Sequence, residues 1–124
     1  MSPLSGSHSR LGNQRTLARS DRLARQFFLG FVRIHILYHA AVEPVCGVDL
    51  AEELGRHGYR LSPGTLYPIL HALQTEGYLH CIPQLRQGRR RKCYTIAPAG
   101  RWALGRARKQ IRELLEEVMG EEEA

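Results

Sequence analysis

The sequence predicts a mainly α-helical domain carrying a single two-stranded β-hairpin, and three observations predict it. Apolar residues recur at helical spacing in four separate stretches. Between the third and fourth, two short runs of strand-forming residues flank a glycine. Pro44, Gly58, Gly77 and Pro98 punctuate the series where helices would end or begin. With 124 residues, there is room for one compact domain and short extensions.

Residues 1–20 are rich in serine, glycine and arginine, with few large apolar side chains, and read as a flexible basic arm. From about Asp21, Leu23, Phe27, Phe31, Ile34, Tyr38 and Ala41 mark one helical stripe, and Phe28, Leu29, Val32 and Ile36 widen it almost around the cylinder. Such a helix needs cover on most sides, which points to a second subunit. After Pro44, a short amphipathic helix is expected from about Val48 to His57, with Gly58 as its stop. Ser62-Pro63 reads as an N-cap and first helical residue of the third helix, which runs to Gly77 with Leu66, Ile69, Leu70 and Leu73 inward. Pro68 fits its first turn if Thr65 rather than Ser62 is the cap. Tyr78–Leu85 and Arg91–Ile96 read as strands joined by a five-residue tip, Arg86 to Arg90. Pro98 opens the final helix, in which Leu104, Ala107, Ile111, Leu114 and Val118 form a coiled-coil-like seam widened by Leu115. The organisation expected is an arm (1–20), a domain (21–97), a dimerisation helix (98–120) and an acidic tail (121–124).

Two short helices around a tight turn, followed by a basic hairpin, are the parts of a winged helix-turn-helix. The N-terminal half of the third helix offers Ser62, Pro63, Gly64, Thr65, Tyr67 and His71, small and polar groups suited to base edges and phosphates in a major groove. The wing offers Arg86, Gly88, Arg89, Arg90, Arg91 and Lys92, with no acid among them. The formal net charge of +6 agrees with a polyanionic partner. The dimer interface is expected to use Phe27, Phe28, Phe31, Ile34, Trp102, Leu104, Ala107, Ile111, Leu114, Leu115 and Val118.

The run Leu61-Ser62-Pro63-Gly64-Thr65-Leu66-Tyr67-Pro68-Ile69-Leu70, then Glu76-Gly77-Tyr78, Gly88-Arg89-Arg90-Arg91-Lys92-Cys93-Tyr94 and Ala99-Gly100-Arg101, resembles the PadR family of bacterial transcriptional regulators over roughly residues 30–118. The single C-terminal helix resembles the smaller subgroup of that family. The resemblance implies a homodimeric repressor on double-stranded operator DNA, released by a small-molecule or stress signal. It also implies that C-terminal helices pack on the partner's N-terminal helix, and that Ser62, Thr65 and Tyr67 reach the DNA. Ala97 stands where the family has a capping threonine.

Other readings are weaker. There is no phosphate-binding loop, nucleophile elbow or strong metal spacing, so an enzyme, a cofactor and a resident metal are not expected. A dimeric winged-helix adaptor is the alternative without DNA, but it has no evident need for so basic a tip. A metal- or redox-responsive regulator would use histidine and cysteine. His35 and His39 share a helix face but lack a third ligand in their motif, so packing is the simpler role. Cys46, Cys81 and Cys93 read as reduced thiols of a cytoplasmic protein, with Cys81 opposite Cys93 if the hairpin centres on Gln87. The apolar stretch Phe27–Val42 is polar-interrupted and too short to span a bilayer, so no membrane partner is expected. The last helix places its bases before its acids, and its acidic end is expected to meet Arg15, Arg19, Arg22 and Arg25 of a partner subunit.

Overall fold

The computed structural model describes the backbone of residues 3–120 and the side chains of residues 21–120. Its elements are α1 (Pro3–Val42), β1 (Val45–Cys46), α2 (Gly47–Arg56), α3 (Pro63–Thr75), β2 (Leu79–Arg86), β3 (Arg89–Ile96) and α4 (Pro98–Val118). The chain divides into two compact units between Phe31 and Val32. No helix among the described residues is long and apolar enough to cross a membrane.

The first unit contributes the N-terminal part of α1, which begins at Pro3, upstream of the start near Asp21 that periodicity indicates. An apolar stripe reports burial, whereas helix formers such as leucine, arginine and glutamine favour a helix without one. The side chains of the basic arm, Arg15 and Arg19 included, lie outside the described residues, as does the acidic tail. Leu23, Phe27 and Phe31 are exposed, with the two phenyl rings edge-on at 4.8 Å.

In the second unit, the described core takes Val32, Ile36, Leu37 and Ala40 from α1 and Leu50 and Leu54 from α2. Leu66, Ile69, Leu70 and Leu73 come from α3, Leu79, Cys93, Tyr94 and Ile96 from the sheet, and Leu104 from α4. Helices α2 and α3 end alike. The Tyr59 N–H donates to the Leu54 carbonyl and that of Gly58 to Gly55; Tyr78 and Gly77 repeat the pattern on Leu73 and Gln74. Both are Schellman motifs, which satisfy carbonyls that helix ends leave unpaired. The cap of α3 is Ser62, not Thr65, so Pro68 lies inside the helix rather than in its first turn. Pro68 and Gly64 are both exposed, so the carbonyl deprived of its helical donor belongs to a water-facing residue.

The sheet has three strands in the order β1-β3-β2, one more than the hairpin alone. Two-residue β1 is too short to leave an alternation in the sequence; it pairs Val45 with Tyr94 and Cys46 with Cys93. The hairpin turns on two residues, Gln87 (φ 52°) and Gly88 (φ 75°), rather than five. Two successive positive φ values make the tight turn that matches strand twist, and glycine adopts this region without a Cβ penalty. Arg86 and Arg89 therefore pair as strand residues, and Cys93 faces Ile82 while Cys81 faces Tyr94. Because β1 sets Cys46 beside Cys93, these two form a disulfide, which corrects the reading of three reduced thiols; Cys81 is free.

Helix α4 starts at Pro98 with Ala97 as its uncapped N-cap residue. The Ala97 N–H instead donates to the Tyr78 carbonyl at 3.0 Å. That tie brings Gly100 so close to Tyr78 that an added Cβ would collide with the Tyr78 carbonyl oxygen and lie 2.7 Å from Ile96 Cγ1. Gly100→Ala is therefore expected to lower stability by about 1–3 kcal/mol. Gly105→Ala on the same helix meets nothing within 4 Å and is expected to leave stability unchanged or raised. Paired thermal melts check this, and equal melting temperatures for the two variants would refute the close-approach account.

Candidate nucleic-acid interface

The inward leucines of α3 leave its N-terminal polar residues outward. Ser62, Pro63, Gly64, Tyr67 and His71 are exposed and Thr65 is half-buried. The Ser62 and Thr65 hydroxyls share a hydrogen bond of 3.2 Å, and Ser62 makes no side-chain cap to the helix backbone. Two hydroxyls and a glycine thus sit at the positive end of a helix dipole, an arrangement that suits a phosphate or a base edge. Tyr67 is 46% exposed, yet its ring is fixed from behind: a Cβ on Gly47 would lie 2.7 Å from its Cε1. Gly47 at the start of α2 thereby sets the position of a residue on α3, which the sequence pattern did not indicate.

Behind this face lies Tyr94, 4% exposed on β3. Burial raises its phenol pKa above the ordinary value of 10.0, and the neighbouring Cys81 thiol and Tyr67 phenol raise it further. The strand tyrosine is thus a packing residue between the hairpin and α3.

Along the wing, Arg86, Gly88, Arg89, Arg90 and Lys92 are exposed and Arg91 is half-buried. Strand alternation and register divide the bases. Arg86, Arg89 and Arg91 share one face with Gln84, whereas Arg90 and Lys92 share the other with Leu85 and Pro83. The first face is not free of acids. Arg86 donates to Gln84 Oε1 at 3.1 Å and stands 3.7 Å from Asp49 of α2. Arg86 and Arg91 line a cleft with Asp49 and Glu52. Asp49 is distant in sequence from the wing, so this pairing leaves no local signal. Of the bases named from sequence, Arg86 is thus partly engaged by α2, and Arg90 and Lys92 lie on the face away from those acids.

The residues expected at a dimer interface differ in exposure. Phe27, Phe31, Trp102, Leu114, Leu115 and Val118 are exposed, and Phe28, Ile34, Ala107 and Ile111 are half-buried. Leu104 is only 4% exposed and belongs to the core of the protomer. The Arg106 guanidinium stacks over Trp102 at 5.0 Å from the ring centroid.

Two helices around the turn at Gly58–Leu61, the second presenting a polar N-terminal face beside a basic hairpin, define a winged helix-turn-helix. Comparison with known proteins narrows the class. Residues 36–106 match the Transcriptional regulator PadR-like family. The chain is 50% identical over 96 residues to Transcriptional regulator Rv3488 of Mycobacterium tuberculosis, covering 77% of this chain and 90% of the relative. A PadR-like transcription factor from Bacteroides fragilis is similar in structure, with a TM-score of 0.68, 27% identity and coverage of 80% of this chain and 97% of the other. So is a protein from Streptococcus mutans, with a TM-score of 0.70, 29% identity and coverage of 75% and 87%. The chain belongs to the PadR-like family of transcriptional regulators, DNA-binding proteins that are not enzymes.

The Tyr94 environment yields a prediction with a definite sign. A phenol whose folded pKa is raised adds stability below the unfolded value of 10.0 and loses it as pH rises through the folded value. Alkaline ultraviolet titration should show a phenol step above the ordinary value of 10.0, and Tyr94→Phe should remove that step. A titration curve unaltered by Tyr94→Phe would contradict the assignment.

Proposed function

We propose that this chain is a sequence-specific, homodimeric repressor of transcription that acts in the cytoplasm and is released by a small-molecule or stress signal. The observation that carries the DNA-binding part is the exposed polar start of α3 beside the basic hairpin β2–β3. In this reading, Ser62, Pro63, Gly64, Thr65, Tyr67 and His71 face the major groove. Arg89, Arg90 and Lys92, with the Gly88 turn, take flanking phosphates, while Arg86 and Arg91 also position the wing against α2. A dimer places two such helices on successive half-sites of an operator.

Support for the dimer comes from apolar residues left in water. Phe27 (56%), Trp102 (65%), Leu115 (54%) and Val118 (54%) are exposed well beyond what scattered surface hydrophobes require. Burying the seam of α4 and the stripe of α1 against a second copy removes that surface from water. The proposed organisation remains an arm, a DNA-binding domain (21–97), a dimerisation helix (98–120) and a short acidic tail.

The decisive measurement is fluorescence anisotropy with duplex DNA from upstream of the protein's own gene, set against random duplex, with sedimentation to follow the dimer. Arg89→Glu/Arg90→Glu is expected to weaken binding by roughly 100-fold or more at moderate salt. It should also flatten the dependence on salt by about 0.9 for each phosphate no longer neutralised, while the dimer persists. Thr65→Ala is expected to reduce the preference for the native duplex more than the affinity for random DNA. Undiminished binding by the double variant would remove the wing from the proposed interface.

A further inference from the structure

The histidine pair on α1 lacks a third ligand in its own segment, but the fold supplies one from α2. His39 faces Glu53 of α2 and His57, the C-cap residue that follows the helix four positions later. One ligand atom from each of these residues falls within 4.8 Å of the other two. The approach on α2 is closer still, with His57 Nε2 3.7 Å from Glu53 Oε1. A tetrahedral ion at about 2.0–2.2 Å from its donors needs them roughly 3.3 Å apart, a closure within reach of side-chain rotation. His57 is exposed and Glu53 half-buried, so both are able to make that adjustment.

A second observation points to the same place. His39 Nε2 is buried without a hydrogen-bond partner, and so is His35 Nδ1. Buried polar atoms are nearly always paired, and an unpaired imidazole nitrogen is the atom a metal ion takes. The His35 ring stacks on that of His57 at 4.9 Å and 15°, and lies 6.0 Å from the His39 ring at 20°. It therefore walls the cluster. The competing charge is Arg56, whose guanidinium holds Glu53 Oε2 at 2.7 Å; the carboxylate oxygen facing His57 is the other one.

We propose that His39, Glu53 and His57 bind one divalent ion of the zinc class, tying the first helix of the helix-turn-helix to α1. Two imidazoles and one carboxylate select zinc-class ions over magnesium or calcium, which take oxygen donors. Three protein donors leave a fourth position for water.

The test is a calorimetric titration of the tag-free full chain with zinc chloride, no reductant added, and magnesium chloride as control. One zinc ion per chain is expected, with an accompanying rise in melting temperature and no response to magnesium. Glu53→Gln and His57→Gln lie outside the described core and are checked for folding by circular dichroism, and each should weaken zinc binding by about 10-fold or more. Cys81→Ser should not. Wild-type affinity in both α2 variants, loss of binding in Cys81→Ser, or equal uptake of magnesium would each overturn the site.

Discussion

The apolar stripe of α3 is the contact on which the rest of the arrangement depends. Leu66, Ile69, Leu70 and Leu73 are each no more than 6% exposed. Helical spacing then sends Tyr67, His71 and Gln74 outward, since side chains in register with the stripe are already committed inward. Truncating one such leucine costs about 2–5 kcal/mol, against a total stability of roughly 5–15 kcal/mol for a domain of this kind. The rotation of the polar face is thus set by the core, and polar residues at the helix start can vary without disturbing it.

Much of this was legible in the sequence because its signals are periodic or terminal. The stripes of α2, α3 and α4, the stops at Gly58 and Gly77, and the hairpin around Gly88 all rest on local chemistry. What escaped depends on tertiary pairing. A two-residue strand has no period to detect, so β1 and the Cys46–Cys93 disulfide went with it. Moving the turn centre from Gln87 to between Gln87 and Gly88 shifts the register by one, which exchanges the partners of both wing cysteines. Pro68 inside α3 contradicts local preference and persists because the packing of the flanking leucines outweighs one lost hydrogen bond. Within the candidate site, exposure of the α3 start was foreseeable, but the acids beside Arg86 and the ligands beside His39 come from α2 and leave no trace in the neighbouring sequence.

Electrostatically, α2 serves both ends of the domain. Asp49 near its start engages the wing, and Glu53 a turn later faces the histidines. Helix α4 shows the opposite economy: it has no acid in its first turn and no base in its last, so its own charges do not complement its dipole. Its place is held instead by Leu104, by Gly100 against Tyr78, and by the Ala97 hydrogen bond.

The short reach of β1 has one more consequence. It pairs with β3 only at Tyr94 and Cys93, so among the described residues the tip-proximal part of β3 has no strand partner on that side, and β2 forms the opposite border of the sheet. Bare strand borders invite other chains to add on and begin ordered aggregates. Here the uncovered stretch of β3 is Arg89 to Lys92, and β2 carries Pro83, which offers no N–H to an incoming strand. Charge repulsion from these bases opposes the docking of a second such strand. On the proposed DNA-binding reading, neutral β-branched replacements at these positions would weaken both the attraction for nucleic acid and the repulsion of an incoming strand.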